Sequence, residues 1–570
     1  MMKRINWRTW IFALLLLVVI TPSHIIQNDQ TITIDEPWWM ISGSNYYYAL
    51  THRDFENTRY DYHPAVTTTW MVTAGMLSYF PEYRGLGQGY FDVRKTNYEE
   101  FLRAQEKDVL TILRNGRYIQ TAVILFFAVI AFYFLQLLVG HSIAFLSISL
   151  IMLAPFFLGH ARLFNHEGML AIFVLVSFLA IYVYLHKEKK ILYLLISGAS
   201  FGLAQLTKSS SIVLIGLVGL MLLMQLIRKD ENPLLSKLTS ATKTLGIWFI
   251  SAALTYFILW PGMWVAPGKM LSEVYGNAFS YAFQGARLEA IDEIEQAPPA
   301  EFNIASRMAG IRLYITYWLS GTTVITWFGM IFAGFLFFSK SKIENIKSLI
   351  TYLLILGTLF ILMFGIVQGR NYAHYITSTF LAFDVIAGIG WGFAWMFAQY
   401  KWQILNRTYA SVTFIVALVL TQIGFGLPYA PYYFTYKNPL AKQPATFGYG
   451  EGYDQAAEYL INKPNASQMR VYVYNGMGTF SYLFAGETLV FKRVYLVDES
   501  YEQIVEEMKS SDYLVLYPII REKQPETEKL FTAFENVTPE KTILINGIDY
   551  VYIYNVSEIP EFIYEGLLSQ

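Results

Sequence analysis

What most limits the fold of this chain is a succession of about eleven apolar stretches, each able or nearly able to cross a hydrocarbon core of about 30 Å. They lie near residues 10–26, 119–139, 142–160, 168–186, 191–207, 212–227, 244–260, 321–338, 348–367, 374–398 and 408–426. Lipid offers backbone N–H and C=O groups no partner, so such stretches must be helices or close into a barrel. Their length and continuous apolar character predict helices. Of the 570 residues 55% are hydrophobic and only 15% charged, against about 25% charged in soluble domains. The first stretch has a basic start and an apolar centre, as a signal peptide does, but no small-x-small site follows it. It is read as an uncleaved first span.

Lys and Arg set the orientation. With Lys3, Arg4 and Arg8 in the cytoplasm, alternate loops put Lys187, Lys189 and Lys190 inside, and Arg228, Lys229, Lys237 and Lys243 as well. Lys340, Lys342, Lys347, Lys401 and Arg407 follow on the same side. The short outer loops carry one cation each, namely Arg162, Lys208 and Arg370. Two long outer segments remain, about 27–118 and 261–320, and the chain from about 427 onward is also outside. This topology uses only hydropathy and basic residues. It nevertheless gathers Asp35, Glu36, His63, His166, Glu167, Lys208, Arg370 and His374 on the outer side.

The net charge of −1 argues against a nucleic-acid partner. The absence of cysteine excludes disulfides, thiolate metal sites and cysteine nucleophiles. Aromatic residues make up 17%, which suits membrane interfaces and also stacking on sugar rings.

After Phe425 the composition changes. "GYDQAAEYLINKPNASQMRVYVYNG" reads as helix, turn and strand, and "SYEQIVEEMKSSDYLVLYP" as helix and buried strand. "KTILINGIDYVYIYNV" alternates around Asn546-Gly547, a hairpin signal. A small α/β domain is expected. The Gly-rich "GYGEGYD" at 448–454 has neither Walker A nor GxGxxG spacing, so it is read as a turn, and catalysis is not expected within this domain.

Four outer clusters could carry chemistry. In "DEPWW", Asp35 and Glu36 cannot both point the same way along an extended stretch. One can face a pocket while the other anchors the loop. A carboxylate desolvated by aromatic walls gains basicity, which suits a general base for a hydroxyl. The plain alternative is an acidic turn ahead of Pro37. "GHARLFNHEGML" places His166 and Glu167 just before a span. Leu170 stands where HExxH needs its second histidine, so a zincin is rejected. Glu167 could equally be a carboxylate favoured by the helix dipole. Lys208 in "LAQLTKSSS" either snorkels or meets an anion. Arg370 and His374 in "VQGRNYAHYITS" either grip a phosphate or anchor the interface.

Outer carboxylates, outer cations, aromatic walls and a lipid-embedded body fit sugar transfer from a polyprenyl-phosphate donor. The tail of such a donor needs lipid access, its leaving phosphate needs cations, and its acceptor needs a base. The pieces also resemble, in order, those of a known family. "DEPWW", "YHPAVTTTW", "RLFNHEGML", "GLAQLTKSS" and "GRNYAHYITSTF" resemble segments of the dolichyl-phosphate-mannose–protein mannosyltransferases and their bacterial relatives, including the lipid A aminoarabinose transferase. "WPGMWVAPGKML" and "PYYFTYKNPL" resemble segments of bacterial members with an outer C-terminal domain.

The resemblance implies a GT-C fold of glycosyltransferase family 39, a polytopic helical membrane protein with a C-terminal extracytoplasmic α/β domain. Residues 1–426 would form the transferase domain, with the first outer loop at 27–118, and residues 427–570 the outer domain. It implies inverting transfer of a monosaccharide, such as a mannose-like hexose, from a polyprenyl-phosphate donor. The acceptor would be a hydroxyl of a protein, lipid or glycan, outside a plasma membrane. Carried over, Asp35 is the base and Glu36 a supporting carboxylate, and Glu167 stands where the family usually has Asp. His63, Lys208 and Arg370 are candidate phosphate or loop contacts. Arg162, His166 and His374 complete the candidate substrate-binding set, His374 standing where Arg is common. A divalent cation is an open option, with His63, Glu36 and His166 as ligands. A lipid-linked sugar flippase is the alternative function, although a transporter would place ionisable residues mid-span. Asp384, inside a span, is not explained by either reading. A surface polymer ligase or assembly protein with a partner-binding outer domain is a third option.

Overall fold

The computed structural model describes residues 7–569, except 29, 60–63, 229–232, 284–302, 339–343, 368–371, 443–447, 493–495 and 497–500. Among the described residues eight helices are long and apolar enough to cross a membrane, and two bent pairs raise this to ten. The Ile191–Thr207 helix is apolar but shorter. The chain is a multi-pass membrane protein.

The N-terminal elements that matter for the site are α1 (Trp7–Ile25), α2 (Glu36–Thr51), α3 (Val66–Tyr79), α4 (Asn97–Ala104) and α5 (Val109–Val139). They are followed by α6 (His141–Met152), α7 (Pro155–Ala161), α8 (His166–His186) and α9 (Ile191–Thr207). The segment 27–118 is therefore largely helical. The helix expected from residue 119 begins ten residues earlier, at Val109, after the N-cap Asp108, whose carboxylate accepts from Leu110 N and Thr111 N at 3.0 and 3.1 Å. At about 1.5 Å per residue the 31-residue α5 outruns the hydrocarbon core. Its first turns include Arg117.

α8 is apolar around its whole circumference, and 94% of its most apolar window is enclosed by protein. A helix without a polar face belongs at the centre of a bundle. Thr408–Tyr429, at the edge, is only 17% enclosed. Small residues let the Val324–Phe338 and Thr377–Lys401 helices touch. A Cβ on Gly390 would collide with the Gly329 carbonyl, and one on Gly329 would lie 2.5 Å from the Ala387 carbonyl. On the same helix Asp384 accepts a hydrogen bond from Thr326 at 2.6 Å. The intramembrane carboxylate thus has a helix-to-helix partner in the bundle interior.

Within the segment 261–320, Ile304–Gly321 is a helix set at 111° to Val324–Phe338. Arg307 and Arg312 lower its mean apolarity enough to hide it from a hydropathy reading.

The C-terminal domain holds β1 (Arg470–Tyr474), β2 (Glu487–Phe491), β3 (Tyr513–Leu516), β4 (Lys541–Ile545) and β5 (Ile548–Asn555). They form one sheet in the order β2-β1-β3-β5-β4. β1 runs parallel to β2 and β3, and β5 antiparallel to β3 and β4. The hairpin between β4 and β5 turns at Asn546 and Gly547, both with positive φ (54° and 78°), as a type I′ turn requires. β1 and β3 are buried along most of their length, and the Tyr453–Ile461 and Tyr501–Lys509 helices bury their apolar residues in the same core. The domain docks on α4 of the membrane body. Arg103 donates to the Ser481 and Phe484 carbonyls at 2.9 and 3.2 Å, and the Ser481 hydroxyl donates to Glu99 at 2.8 Å.

Candidate active site

The site is built where α2 begins. Pro37 suits the first turn of a helix because its missing N–H has no intrahelical partner there. Asp35 occupies the N-cap position, yet its side chain caps nothing. It accepts a hydrogen bond from the Tyr449 hydroxyl.

Glu36 faces inward. Its Oε1 accepts from Arg117 Nε and from Phe164 N, both at 2.8 Å. Its Oε2 accepts from Thr33 N at 2.8 Å, Thr33 Oγ1 at 3.1 Å and Arg117 Nη2 at 2.6 Å. Both side chains are fully buried. Arg117 also donates to the carbonyls of Asn28 and Thr31. This bidentate pair ties α5, the approach to α2 and the turn before α8 into one floor. Charges buried so deeply are tolerated only when paired and hydrogen-bonded throughout.

A second ion pair lies across the turns. Glu167, in the first turn of α8, pairs with Lys208 at the end of α9, and both are buried. Lys208 Nζ also sits 4.2 Å from the centre of the Tyr375 ring, a cation–π contact. The α8 N-cap is Asn165, whose carbonyl oxygen accepts from Glu167 N at 2.8 Å. Asn165 Nδ2 reaches the Tyr449 hydroxyl at 3.3 Å. His166 meets Thr68 through Nδ1 at 2.8 Å and lies 3.9 Å from the Trp39 ring centre.

Aromatic rings form the remaining walls. His374 lies 6.0 Å from Tyr449 and 5.7 Å from His160, and Phe434 stands edge-on to Tyr449 at 5.8 Å. Arg162 donates to the Ile26 carbonyl and lies 5.0 Å from the Tyr433 ring centre.

The electrostatics separate the groups. Burial pushes Asp35 above its ordinary carboxylate range, opposed by the Tyr449 hydroxyl, reinforced by Glu36 and opposed again by Lys208. Burial, with the neighbouring Asp35 charge, raises Tyr449 well above the usual phenol, so it stays a neutral donor. Glu451, which accepts from the Tyr449 amide and from Tyr517 at 2.8 Å, is pushed by burial to about 7.

The structure thus brings together Asp35, Glu36, His166, Glu167, Lys208 and His374, with Arg162 at the wall. His63 and Arg370 lie outside the described residues. Of the residues of the open cation option, His63 is not among those described, and Glu36 is engaged elsewhere. Every Glu36 oxygen is taken by Arg117 and by backbone and threonine donors, and no group of three potential ligands occurs among the described residues. Sequence reasoning missed Arg117, Asn165 and Tyr449. Arg117, an arginine entering an apolar run, carried a usable signal, since such a cation requires an anion. Tyr449, on a turn of the C-terminal domain, carried none.

Residues 113–260 match the family model described as dolichyl-phosphate-mannose-protein mannosyltransferase. Over that segment, which holds Arg117, Glu167 and Lys208, the chain is similar to a family of membrane glycosyltransferases, as its motifs indicate. Asp35, His374 and Tyr449 lie outside it. Similar solved structures include the Saccharomyces cerevisiae protein O-mannosyltransferase Pmt1-Pmt2 complex bound to its sugar donor. That match has 15% identity and a TM-score of 0.35, covering 46% of this chain and 35% of that one. The chain therefore spans about a third of the length of the yeast protein. ArnT from Cupriavidus metallidurans in the apo state matches at 12% identity and a TM-score of 0.46, over 96% of this chain and 98% of that one. The oligosaccharyltransferase AglB from Archaeoglobus fulgidus matches at 14% identity and a TM-score of 0.38, over 91% and 70%. No curated protein matches the chain.

Proposed function

We propose that this protein is an inverting GT-C glycosyltransferase of the protein O-mannosyltransferase and aminoarabinose transferase kind. It moves a monosaccharide from a polyprenyl-phosphate donor to a hydroxyl of a protein, lipid or glycan on the outer face of a plasma membrane. Residues 1–426 are the transferase body and residues 427–570 an outer domain. The observation that carries the reading is the division of labour among three carboxylates. Glu36 and Glu167 are each paired with a cation, whereas Asp35 meets a neutral phenol and is raised toward basicity. The family match over residues 113–260 supports the same class of reaction.

In the reaction Asp35 takes the acceptor hydroxyl proton as the oxygen attacks the anomeric carbon. A new C1–O bond forms, the bond from C1 to the phosphate oxygen breaks, and its electron pair leaves with polyprenyl phosphate. Lys208 meets the developing phosphate charge, exchanging part of its contact with Glu167 for the new anion. His166, His374 and Arg162, with His63 and Arg370, are the proposed contacts to donor and acceptor. Glu36 acts through Arg117 by holding the loop that carries Asp35.

The test is reconstitution in liposomes with a panel of labelled polyprenyl-phosphate hexoses and a membrane extract as acceptor source. Transfer predicts free polyprenyl phosphate and a labelled acceptor in equal amounts. Movement of intact donor between leaflets without cleavage would instead make the protein a transporter.

A further inference from the structure

The outer domain reaches the proposed base through one residue. Tyr449 belongs to "GYGEGYD", the Gly-rich turn just before the Tyr453–Ile461 helix of that domain. Its hydroxyl donates to Asp35 Oδ2 and lies 3.3 Å from Asn165 Nδ2. Its backbone is fixed from both sides. The Tyr449 carbonyl accepts from Ile34 N at 3.2 Å, in the residue before Asp35. The Tyr449 amide donates to Glu451, which also takes the Tyr517 hydroxyl beside β3. Gly450 N in turn donates to the Tyr517 oxygen at 3.1 Å. Gly450 has φ +107° and would place a Cβ 2.8 Å from the Ile32 carbonyl, so a glycine lets the turn approach this closely. Ring contacts with His374 and Phe434 hold the phenol plane.

We propose that Tyr449 is a positioning residue for the transfer reaction, a hydroxyl supplied by the outer domain that aims the Asp35 carboxylate at the acceptor. This rests on the reading of Asp35 as base. Asp35 leaves its own helix N-terminus uncapped, so its carboxylate takes its hydrogen bond from another donor, and Tyr449 is that donor. The carboxylate would otherwise be free to fold back on the α2 amides, as aspartates at N-caps do. The outer domain is therefore part of the active site.

The test compares wild type, Tyr449→Phe, Asp35→Asn and the double variant as full-length protein in liposomes. Release of polyprenyl phosphate from labelled polyprenyl-phosphate hexoses is measured together with donor binding. Phenylalanine keeps the ring contacts and removes only the hydroxyl. Tyr449→Phe is expected to lower kcat by about tenfold to a hundredfold, the loss of one hydrogen bond to a charged group, with donor KM unchanged. In the Asp35→Asn background the same change is expected to have no further effect, because Tyr449 acts only through Asp35. Unchanged kcat in Tyr449→Phe overturns the proposal. So does an additive loss in the double variant, and so does lost donor binding in Tyr449→Phe, which would make the tyrosine a scaffold residue. A wild type that releases no polyprenyl phosphate, or an Asp35→Asn variant as active as wild type, fails the underlying reading instead.

Discussion

Glu36–Arg117 and Glu167–Lys208 are chemically the same kind of pair built in two ways. The first is bidentate and fully buried, with both carboxylate oxygens and three guanidinium nitrogens engaged. Nothing in it can exchange partners without leaving a buried charge. The second joins a carboxylate to a flexible ammonium under an aromatic face. A lysine head is a point charge with rotatable donors, so it can share itself with a second anion where an arginine fork is locked. The first pair suits architecture and the second suits chemistry, and Asp35 stands beside both.

The comparison breaks most visibly at Arg117. Arg117→Ala leaves Glu36 buried and unpaired and should destabilise the body by about 3–5 kcal/mol. Thermal unfolding in detergent reads this, and a stable Arg117→Ala protein would refute the buried-floor assignment. Lys208→Ala also removes the cation from the buried Glu167 and so carries a stability cost of its own; in the protein that folds it should lower kcat by about 10²–10³-fold, the usual cost of one donor to developing charge. Lys208→Arg keeps the charge but not the point-like geometry, and its kcat should fall between that of Lys208→Ala and wild type. A Lys208→Ala protein that folds and keeps wild-type kcat would erase the distinction.

A smaller effect concerns where the outer domain docks. Glu99, which accepts from Ser481, is pushed by burial to about 7 from an ordinary value of 4.5. Because its folded value is raised, its contribution is fully present below the ordinary value and is lost as pH rises through about 7. Docking should weaken from pH 6 to pH 8, read as faster proteolysis or hydrogen exchange in α4. Glu99→Gln should flatten that dependence.

The membrane body was legible because lipid imposes one rule on every span, and hydropathy reports it directly. The angled Ile304–Gly321 helix escaped because two arginines interrupt its apolar residues. In the outer domain, period-2 alternation and Asn546-Gly547 revealed the hairpin, while β2, short and partly exposed, gave no comparable pattern. At the site, Asp35 and Lys208 stood out as charges beside apolar runs. Their division from Glu36 and Glu167 did not, because it depends on contacts such as Glu36 with Phe164, 128 residues apart. Tyr449 and Asp35 are separated by 414 residues. No local spacing rule reaches so far, and a tyrosine in a glycine-rich turn looks like any other.

The central claim is that Asp35 alone of the adjacent carboxylates performs the chemistry. The most direct measurement is single-turnover release of polyprenyl phosphate by Asp35→Asn in liposomes, with donor binding measured on the same sample. Wild-type donor binding and thermal stability are expected, with release reduced to a small residual rate. Wild-type release by Asp35→Asn would contradict the claim.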